Sequence, residues 1–287
     1  MTYWDHYLLP KTIDEALSYL NGAAGTARVI SGGTDLLLDL RQGRHPPVGT
    51  LVDVTGIMEL RDIQLEQSEL FLGSAVTHRE IIENSLLLEH ARCLVEACGL
   101  IGGPQVRNVA TIGGNVAHAL PAADGSIALL ALDAEAEIAS AEGRRWVRVE
   151  DLFLGPGEAA FDSREEILVR FRLPLRCDNE KSAFHRIMRP QGVAIAILNM
   201  ALWVRHDPVD TIVDIRLAVG PAGPKPFRAR ETEDHLRGNL MNGEIFQEAV
   251  EILQNEAKVR TSPHRATKGY RKHLLGFLLS QVYGQIV

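Results

Sequence analysis

The sequence predicts an α+β protein of two domains, and three observations support this fold class. The chain has 287 residues, which exceeds the roughly 100–200 residues expected of one domain. Its first part places strand-like and helix-like segments around glycine-rich loops, whereas its last part has long β-rich runs followed by helices. Because polar residues gather between Leu175 and Lys181, we predict a domain boundary near residue 178.

Composition restricts the class of protein. Hydrophobic residues make up 46% and charged residues 23% of the chain, values typical of folded proteins. The net charge of −7 argues against a nucleic-acid partner, because such partners are bound largely by clustered Lys and Arg. No run approaches about 18 apolar residues, and the N-terminus does not resemble a secretory signal. We therefore expect a cytoplasmic protein without a membrane span.

The three cysteines predict neither a disulfide framework nor a zinc site. Cys93, Cys98 and Cys177 are odd in number and show no CxxC spacing. Cys93 and Cys98 lie in the apolar, helix-like stretch Leu86–Gly99, which predicts buried thiols.

The first elements predict a small α/β subdomain, residues 1–56. A capping box, in which a Thr and a Glu three residues later cap each other's backbone, opens a first helix. A short β-branched run precedes two glycines, and a helical pattern follows them. The segments are the capping box Thr12–Glu15, the strand Arg28–Ile30, the helix Asp35–Leu40 and the strand Thr50–Val54.

The pattern of residues 57–178 predicts a second, larger subdomain. A second capping box, Thr77–Glu80, opens a helix that runs with a break to Gly99, where we expect a left-handed glycine. The other segments are the strands Leu70–Ser74, Ala136–Ser140, Trp146–Val149 and Ile167–Leu173 and the apolar run Ile127–Ala134.

The last part, residues 179–287, predicts a small antiparallel sheet with helices. Two β-rich runs, Val193–Val204 and Ile212–Val219, are joined by the turn-like Asp207–Asp210. We expect one helix at Glu244–Lys258 and another opened by Ser262 as N-cap with Pro263 in its first turn.

Two glycine-rich loops are the candidate functional site. Ser31-Gly32-Gly33-Thr34 leaves a strand and enters a helix, so its amides and the Thr34 hydroxyl can bind phosphate oxygens. Thr111-Ile112-Gly113-Gly114-Asn115 offers the same chemistry, and the nearby Asp124 can accept hydrogen bonds from ribose hydroxyls. A single loop of this kind is more often an ordinary turn. Together they predict a dinucleotide held from two sides, without a Rossmann fingerprint or a P-loop.

The loops also carry a resemblance to a known family. Ser31–Leu37, Ile101–Asn108 and Arg107–Val116 resemble the FAD-binding subunit of molybdenum hydroxylases, the medium subunit of the carbon monoxide dehydrogenase and xanthine dehydrogenase family. The resemblance extends through Glu165–Leu168 to Tyr270-Arg271. It implies a two-part FAD-binding domain of the vanillyl-alcohol oxidase type, also called PCMH-type, in residues 1–178. A carbon monoxide dehydrogenase flavoprotein-like domain then follows in residues 179–287.

The resemblance implies specific FAD contacts. Asp124 matches a position that bonds the cofactor, Ile101 and Leu168 match apolar positions that line the flavin, and His185 stands where some relatives place a cofactor-contacting lysine. The diphosphate contacts are Val29, Ile30, Ser31, Gly32, Gly33, Thr34, Asp35, Leu36, Thr111, Ile112, Gly113, Gly114 and Asn115. Ile101 and Leu168 are equally consistent with core positions, whereas a lone histidine in a strand is more often structural.

The implied role is electron transfer within a complex. A large molybdopterin-binding subunit oxidises the substrate, a small subunit carries two iron–sulfur clusters, and FAD on this chain passes electrons to the final acceptor. The resemblance implies a dimer of such heterotrimers. No catalytic acid–base residue and no metal ligand is then required of this chain, whose three cysteines cannot supply the four ligands of a cluster.

Two other functions remain open at the level of sequence. A stand-alone FAD-dependent oxidoreductase of the same fold would need an acid or base near the flavin, for which His118 is the best candidate. A non-redox dinucleotide-binding module would use the same loops without electron transfer.

Overall fold

A computed structural model describes residues 3–23, 25–189, 195–263 and 265–286. The chain forms two compact units, each assembled from separate segments. Unit 1 comprises Met1–Glu80, Pro104–Ala119 and Ala134–Pro174, and unit 2 comprises Ile81–Gly103, Leu120–Asp133 and Leu175–Val287. The units are thus discontinuous in sequence, and the boundary near residue 178 stays a prediction.

Unit 1 begins with a three-stranded parallel sheet in the order β1-β3-β2. As predicted, the Thr12 hydroxyl caps the first helix by accepting from the Glu15 amide at 3.1 Å. The first strand was not predicted, because its central residues are exposed and show no apolar alternation. The elements are β1 (Trp4–Leu8), α1 (Ile13–Gly22), β2 (Ala27–Ile30), α2 (Leu36–Arg41) and β3 (Val48–Asp53).

A five-stranded antiparallel sheet forms the rest of unit 1, in the order β4-β5-β10-β6-β7. Apolar residues of both sheets and of α1 share one core, which includes Leu20, Val52 and Val169. The strands are β4 (Ile63–Glu66), β5 (Glu69–Gly73), β6 (Glu135–Ser140), β7 (Gly143–Arg148) and β10 (Ile167–Pro174), with a small hairpin of β8 (Phe153–Gly155) and β9 (Glu158–Ala159).

Five short helices follow β5 in the chain, and the last of them contains most of the second glycine-rich loop. The predicted helix from Thr77 is three helices, because Asn84 caps a new one and Ala91 leaves helical geometry. The prediction of a left-handed Gly99 is wrong: the third helix continues to Leu100, and Gly102 has the positive φ, at +53°. The helices are α3 (His78–Glu83), α4 (Ser85–His90), α5 (Arg92–Leu100), α6 (Pro104–Arg107) and α7 (Ile112–Ala117).

The apolar run after the second loop is a helix, α8 (Asp124–Ala131), with all eight residues buried. Burial on every side removes the apolar periodicity, so the sequence did not distinguish a helix from a strand there.

A four-stranded antiparallel sheet, in the order β11-β12-β13-β14, organises unit 2. The helices α5 and α8 pack on one face, and α9 to α11 on the other. Val193, the predicted start of one strand, lies outside the described residues. The elements are β11 (Glu180–Ile187), β12 (Leu198–His206), β13 (Ile212–Gly220), β14 (Phe227–Arg228), α9 (Arg230–Leu236), α10 (Gly243–Glu256) and α11 (Lys268–Gly284).

The last helix begins later than the sequence predicts. Thr267, not Ser262, is the N-cap, and its hydroxyl accepts from the Tyr270 amide at 3.2 Å. Ser262 instead pairs with Ala266: the Ser262 amide donates a hydrogen bond to the Ala266 carbonyl at 2.9 Å. That pairing turns the chain before the helix, so the expectation of Pro263 in a first helical turn is wrong.

Candidate functional site

The two predicted glycine-rich loops meet in unit 1. The Thr111 hydroxyl donates to the Ser31 hydroxyl at 3.1 Å. Thr111 is also the N-cap of α7, where its Oγ1 accepts from the Gly114 amide at 3.2 Å. Thr111 thus begins the second loop and joins it to the first.

Two of the glycines are required by packing within the protein. A Cβ on Gly32 would lie 2.1 Å from the Val109 carbonyl oxygen, and one on Gly113 would lie 2.6 Å from the Ser74 Cβ. The Gly113 amide donates to the Ser74 carbonyl at 2.8 Å. These glycines bring the loops into contact with backbone, so their lack of a side chain is explained before any ligand is considered.

The other two glycines have different surroundings. Gly33 has a φ of +66°, a left-handed conformation that favours glycine. Among the described residues, a Cβ on Gly114 would meet only the Thr111 Oγ1, at 3.2 Å. Gly114 is therefore the loop glycine with open space beside it.

The ends of the predicted phosphate segments have contacts within the protein, and their FAD contacts stay predictions. The Val29 amide donates to the Ser163 carbonyl at 2.9 Å, and Ile30 is buried at the end of β2. The Asn115 amide donates to the Thr111 carbonyl within α7, and Ile112 is fully buried. Thr34, Asp35 and Leu36 follow as the entry to α2. The first loop lines the cavity described next through Ser31 and Gly32, and the second loop lines it through Thr111.

A cavity of about 300 Å³ lies beside both loops. Because β2 and β3 are parallel neighbours with Ile30 opposite Asp53, their carboxyl ends place Asp53 near the first loop. The sequence analysis did not select Asp53, although its position at the end of a strand was a usable signal. The lining residues are Ser31, Gly32, Asp53, Thr55, Arg61, Ala75, Thr77, Asn108, Val109 and Thr111.

Hydrogen bonds fix the polar wall of this cavity. The Asp53 carboxylate accepts from the Tyr7 hydroxyl at 2.5 Å and from the Thr55 hydroxyl at 2.6 Å. Burial and the hydrogen bond to Asp53 raise the pKa of Tyr7 to about 12, so its phenol stays protonated. Arg61 is held by Glu80 at 2.5 Å.

Two histidines lie close to the second loop. His118 Nε2 is 3.8 Å from an Asp35 carboxylate oxygen, which connects the end of α7 to the start of α2. His78 is buried, and its amide donates to the Ala110 carbonyl at 3.0 Å. Burial, and then the charge of Arg107, lower the pKa of His78 to about 4. His78 is therefore neutral near neutral pH.

Leu168 also belongs to unit 1. Its side chain is buried, and its carbonyl accepts from the Ser74 hydroxyl at 2.6 Å. The pairing of β10 with β6 shifts register between Leu168 and Arg170. Ser74 thus contacts both Leu168 and Gly113, which ties this strand to the second loop.

Asp124, Ile101 and His185 belong to unit 2. Asp124 is buried in the first turn of α8, where its oxygens accept from Arg186 at 2.5 Å and from Asn199 at 2.6 Å. Ile101 is half-buried and directly follows α5. His185 lies on β11 with its ring 6.4 Å from that of Phe277, and burial lowers its pKa. The FAD contacts of these three residues stay predictions.

Comparisons with known proteins agree along the whole chain. Residues 3–176 match the family model described as the FAD binding domain in molybdopterin dehydrogenase. Residues 182–286 match the model of the CO dehydrogenase flavoprotein C-terminal domain. Both matches lie on the elements described above.

Individual relatives and solved structures match most of the chain. The xanthine dehydrogenase FAD-binding subunit of Escherichia coli O157:H7 is 32% identical over 263 residues, covering 91% of this chain and 89% of that one. The carbon monoxide dehydrogenase medium chain of Hydrogenophaga pseudoflava is 29% identical over 249 residues, covering 85% and 84%. A solved carbon monoxide dehydrogenase from Hydrogenophaga pseudoflava, lacking the Mo-pyranopterin moiety of its cofactor, superposes with a TM-score of 0.91 at 26% identity, covering 97% and 96%.

The fold, the paired loops and these matches define a flavoprotein component of an oxidoreductase. The chain belongs to the family of FAD-binding medium subunits of the xanthine and carbon monoxide dehydrogenases, as the sequence predicted. The structure is consistent with FAD, because the open side of Gly114, the Ser31 and Thr111 hydroxyls and the adjoining cavity provide space and hydrogen-bonding groups for a diphosphate.

Proposed function

We propose that this chain is the electron-transfer subunit of a molybdenum hydroxylase complex, in which FAD accepts electrons from iron–sulfur clusters of a partner and passes them to a final acceptor. The observation that carries the proposal is the match of both family models to nearly the whole chain, together with the meeting of the two loops. Relatives of similar length are described as FAD-binding subunits or medium chains, which supports a role beside other subunits.

The cysteines support iron–sulfur clusters on a partner. A cluster is commonly held by four thiolates, and this chain has three cysteines. Burial raises the pKa of Cys93 to about 12 and also raises that of Cys98, so both are protonated thiols near neutral pH. Neither is suited to metal binding in this form, since thiolate is the ligand.

The residues of this chain would bind and orient the cofactor. Bound FAD supplies one- and two-electron redox chemistry, which lets it connect one-electron clusters to a two-electron acceptor. In the proposal, the amides near Gly33 and Gly114 and the hydroxyls of Ser31 and Thr111 bind the diphosphate. Asp124 accepts from the cofactor, and Ile101 and Leu168 line the flavin. A contact from His185 has less support, because its ring packs beside Phe277.

The proposed partners are a large molybdopterin-binding subunit and a small subunit with two iron–sulfur clusters, assembled as a dimer of heterotrimers in the cytoplasm. Substrate oxidation then occurs on the large subunit. Among the described residues, no helix is long and apolar enough to cross a membrane.

The test begins with the complex purified from its native host. We expect bound FAD whose visible absorbance bleaches when substrate of the complex is added and returns when an acceptor is added. Mass spectrometry identifies the partners, and analytical ultracentrifugation measures the stoichiometry. Flavin that substrate does not reduce in the intact, molybdenum-loaded complex would contradict the electron-transfer role.

The same experiment separates the two other functions. Turnover of small organic substrates by the FAD-loaded chain alone would support a stand-alone oxidoreductase. Bound FAD that cannot be reduced and reoxidised by any subunit combination would support a non-redox module. We expect neither, because the relatives are dehydrogenase subunits.

A further inference from the structure

The chain that joins α10 to α11 in unit 2 is strongly basic, and residues 257–273 are called the basic segment below. The protein as a whole has a net charge of −7, yet no Asp or Glu follows Glu256. Positive charge is therefore concentrated in this one stretch. Its cations are Lys258, Arg260, Arg265, Lys268, Arg271 and Lys272.

A hydrogen bond folds the basic segment back on itself. The Lys268 amide donates to the Thr261 hydroxyl at 3.0 Å, which closes a loop at the start of α11. Arg260 directly precedes Thr261, and Arg265 lies within the closed loop. Arg271 follows in the first turn of the helix. The fold thus brings three arginines from separate positions of the segment to the beginning of one helix.

Arg271 is a buried cation without a carboxylate. The residue is only 3% exposed, and its Nη1 donates to the Pro221 carbonyl at 3.3 Å. Its Nε is buried and has no partner among the described residues. The similarly buried Arg228 differs, because its Nε donates to the Glu233 carboxylate at 2.5 Å. A neutral carbonyl accepts a hydrogen bond from Arg271 but does not balance its charge.

The neighbouring charges add to this imbalance. Burial, and then the charges of Arg265 and Arg260, lower the pKa of Arg271. Burial and the charge of Arg260 likewise lower the pKa of Arg265. In the described part of the chain, which includes every Asp and Glu, these arginines form no ion pair. Because arginine stays protonated at all relevant pH values, a buried and unpaired guanidinium here is costly.

The chemistry of the three side chains indicates the kind of ligand that removes this cost. Guanidinium groups present rigid forks of N–H donors that match the oxygens of phosphate. A phosphate group carries up to two negative charges, which offset several arginines better than the single charge of a carboxylate. A buried donor without a partner, such as Arg271 Nε, also marks a place that a bound group satisfies.

We propose that the basic segment binds a phosphate group between Arg260, Arg265 and Arg271, with Arg271 Nε as its buried donor. The ligand is either a free phosphate ion or the phosphate of a small phosphorylated molecule. The inference does not depend on the proposed function, because these three arginines are separate from the glycine-rich loops and from the predicted FAD contacts.

The experiment measures phosphate binding by the full chain in a phosphate-free buffer of low ionic strength near neutral pH. Excess FAD is present throughout, so that the glycine-rich loops do not compete for phosphate. Inorganic phosphate, phenyl phosphate and acetate are titrated separately by isothermal titration calorimetry. Thermal melts of each protein establish that it is folded.

The variants are Arg265→Met, Arg271→Met and Arg271→Lys. Arg237→Met is the matched control, because it also removes one positive charge from unit 2. Arg237 already pairs with Asp234 at 2.6 Å, so it is not available to an added anion. Arg265→Met keeps the test valid if Arg271→Met fails to fold, since Arg265 is only half-buried.

We expect the wild-type chain to bind inorganic phosphate and to melt at a higher temperature when phosphate is present. Arg265→Met and Arg271→Met should each bind about tenfold or more weakly, the loss typical of one hydrogen bond to a charged group. Arg271→Lys should bind with intermediate affinity, because it keeps the charge but loses the fork. Arg237→Met should bind as the wild type does.

Phenyl phosphate distinguishes the two sources of the ligand. Affinity equal to or above that of inorganic phosphate supports a phosphorylated molecule, and binding of inorganic phosphate alone supports the free ion. Three results would overturn the inference: no phosphate binding by the wild-type chain, unchanged binding in folded Arg265→Met and Arg271→Met, or an equal loss in Arg237→Met. Acetate that binds as tightly as phosphate would also overturn it, because the site would then select carboxylates.

Discussion

Gly32 and Gly113 lack a side chain for a reason that lies within the protein. Each approaches the backbone of another segment too closely for a Cβ, at Val109 and Ser74 respectively. The sequence analysis expected the amides of both loops to bind phosphate oxygens. Gly114 differs from Gly32 and Gly113, because among the described residues its added Cβ would meet only the Thr111 Oγ1.

Replacement of Gly32 by alanine should destabilise unit 1. The new Cβ would lie 2.1 Å from the Val109 carbonyl oxygen, so backbone has to move. We expect a loss of about 1–3 kcal/mol, as for other overpacked sites, measured as a lower urea midpoint of the FAD-free protein. Unchanged stability would contradict the observed contact between the loops. Gly22→Ala is the control, because no atom of the described residues lies within 4 Å of its added Cβ.

Replacement of Gly114 by valine should remove FAD with a smaller effect on folding. The branched side chain would occupy the open side of the second loop, where the close atom in the described part of the chain is the Thr111 Oγ1 at 3.2 Å. Flavin content per chain and a thermal melt of the FAD-free protein measure the two effects. Gly269→Val is the control, since Gly269 also lies in a helix and an added Cβ there has no atom of the described segments within 4 Å. Retention of one FAD per chain would refute this placement of the second loop.

At the scale of elements, features that depend on neighbouring residues were predicted well. Features that depend on contacts between distant residues were not predicted. The capping boxes at Thr12 and Thr77 form because their hydrogen bonds join residues three apart. Helix α7 was missed because two glycines occupy its first turn and periodicity is absent. Its position depends on Ser74, which lies far away in sequence.

The same limit applies to the site. Both loops were predictable from their composition, but the hydrogen bond between Ser31 and Thr111 was not. Asp124 was selected, whereas Arg186 was not, because their pairing requires the register of β11 with β12. Strand register depends on the assembled sheet and cannot be obtained from one isolated segment.

The second capping box offers a prediction for one element. The Thr77 hydroxyl accepts from the Glu80 amide at 3.2 Å, and Glu80 Oε2 accepts from the Thr77 amide at 2.8 Å. Thr77→Ala should cost about 1 kcal/mol, and Thr77→Ser should retain most of the stability. Chemical denaturation monitored by circular dichroism measures both. Equal losses in the two variants would indicate that the methyl group, and not the cap, is responsible.

At the scale of the whole molecule, His78 should make stability depend on pH. Burial lowers the pKa of His78 from the ordinary histidine value of 6.5 to about 4 in the folded chain. Between these values the unfolded chain binds more protons, so stability falls as pH decreases from 6.5 to 4. The total loss from this group is about 3 kcal/mol.

Urea unfolding at a series of pH values measures this effect. His78→Gln should reduce the fall in stability between pH 6.5 and 4, whereas the exposed His273→Gln should not. The slope, rather than the absolute stability, is compared, because the substitution also changes packing. Identical slopes in all three proteins would contradict a neutral buried His78.

The discontinuous units affect how the protein is made. Helix α8 is buried on all sides. It packs against β12 and β13, which come much later in the chain, after several intervening strands. During synthesis, its apolar surface leaves the ribosome before the strands that cover it. The nascent chain thus carries an interval of exposed hydrophobic surface, in which chaperone binding competes with aggregation. Slow translation before β12 should lengthen that interval, which makes codon choice there a determinant of yield.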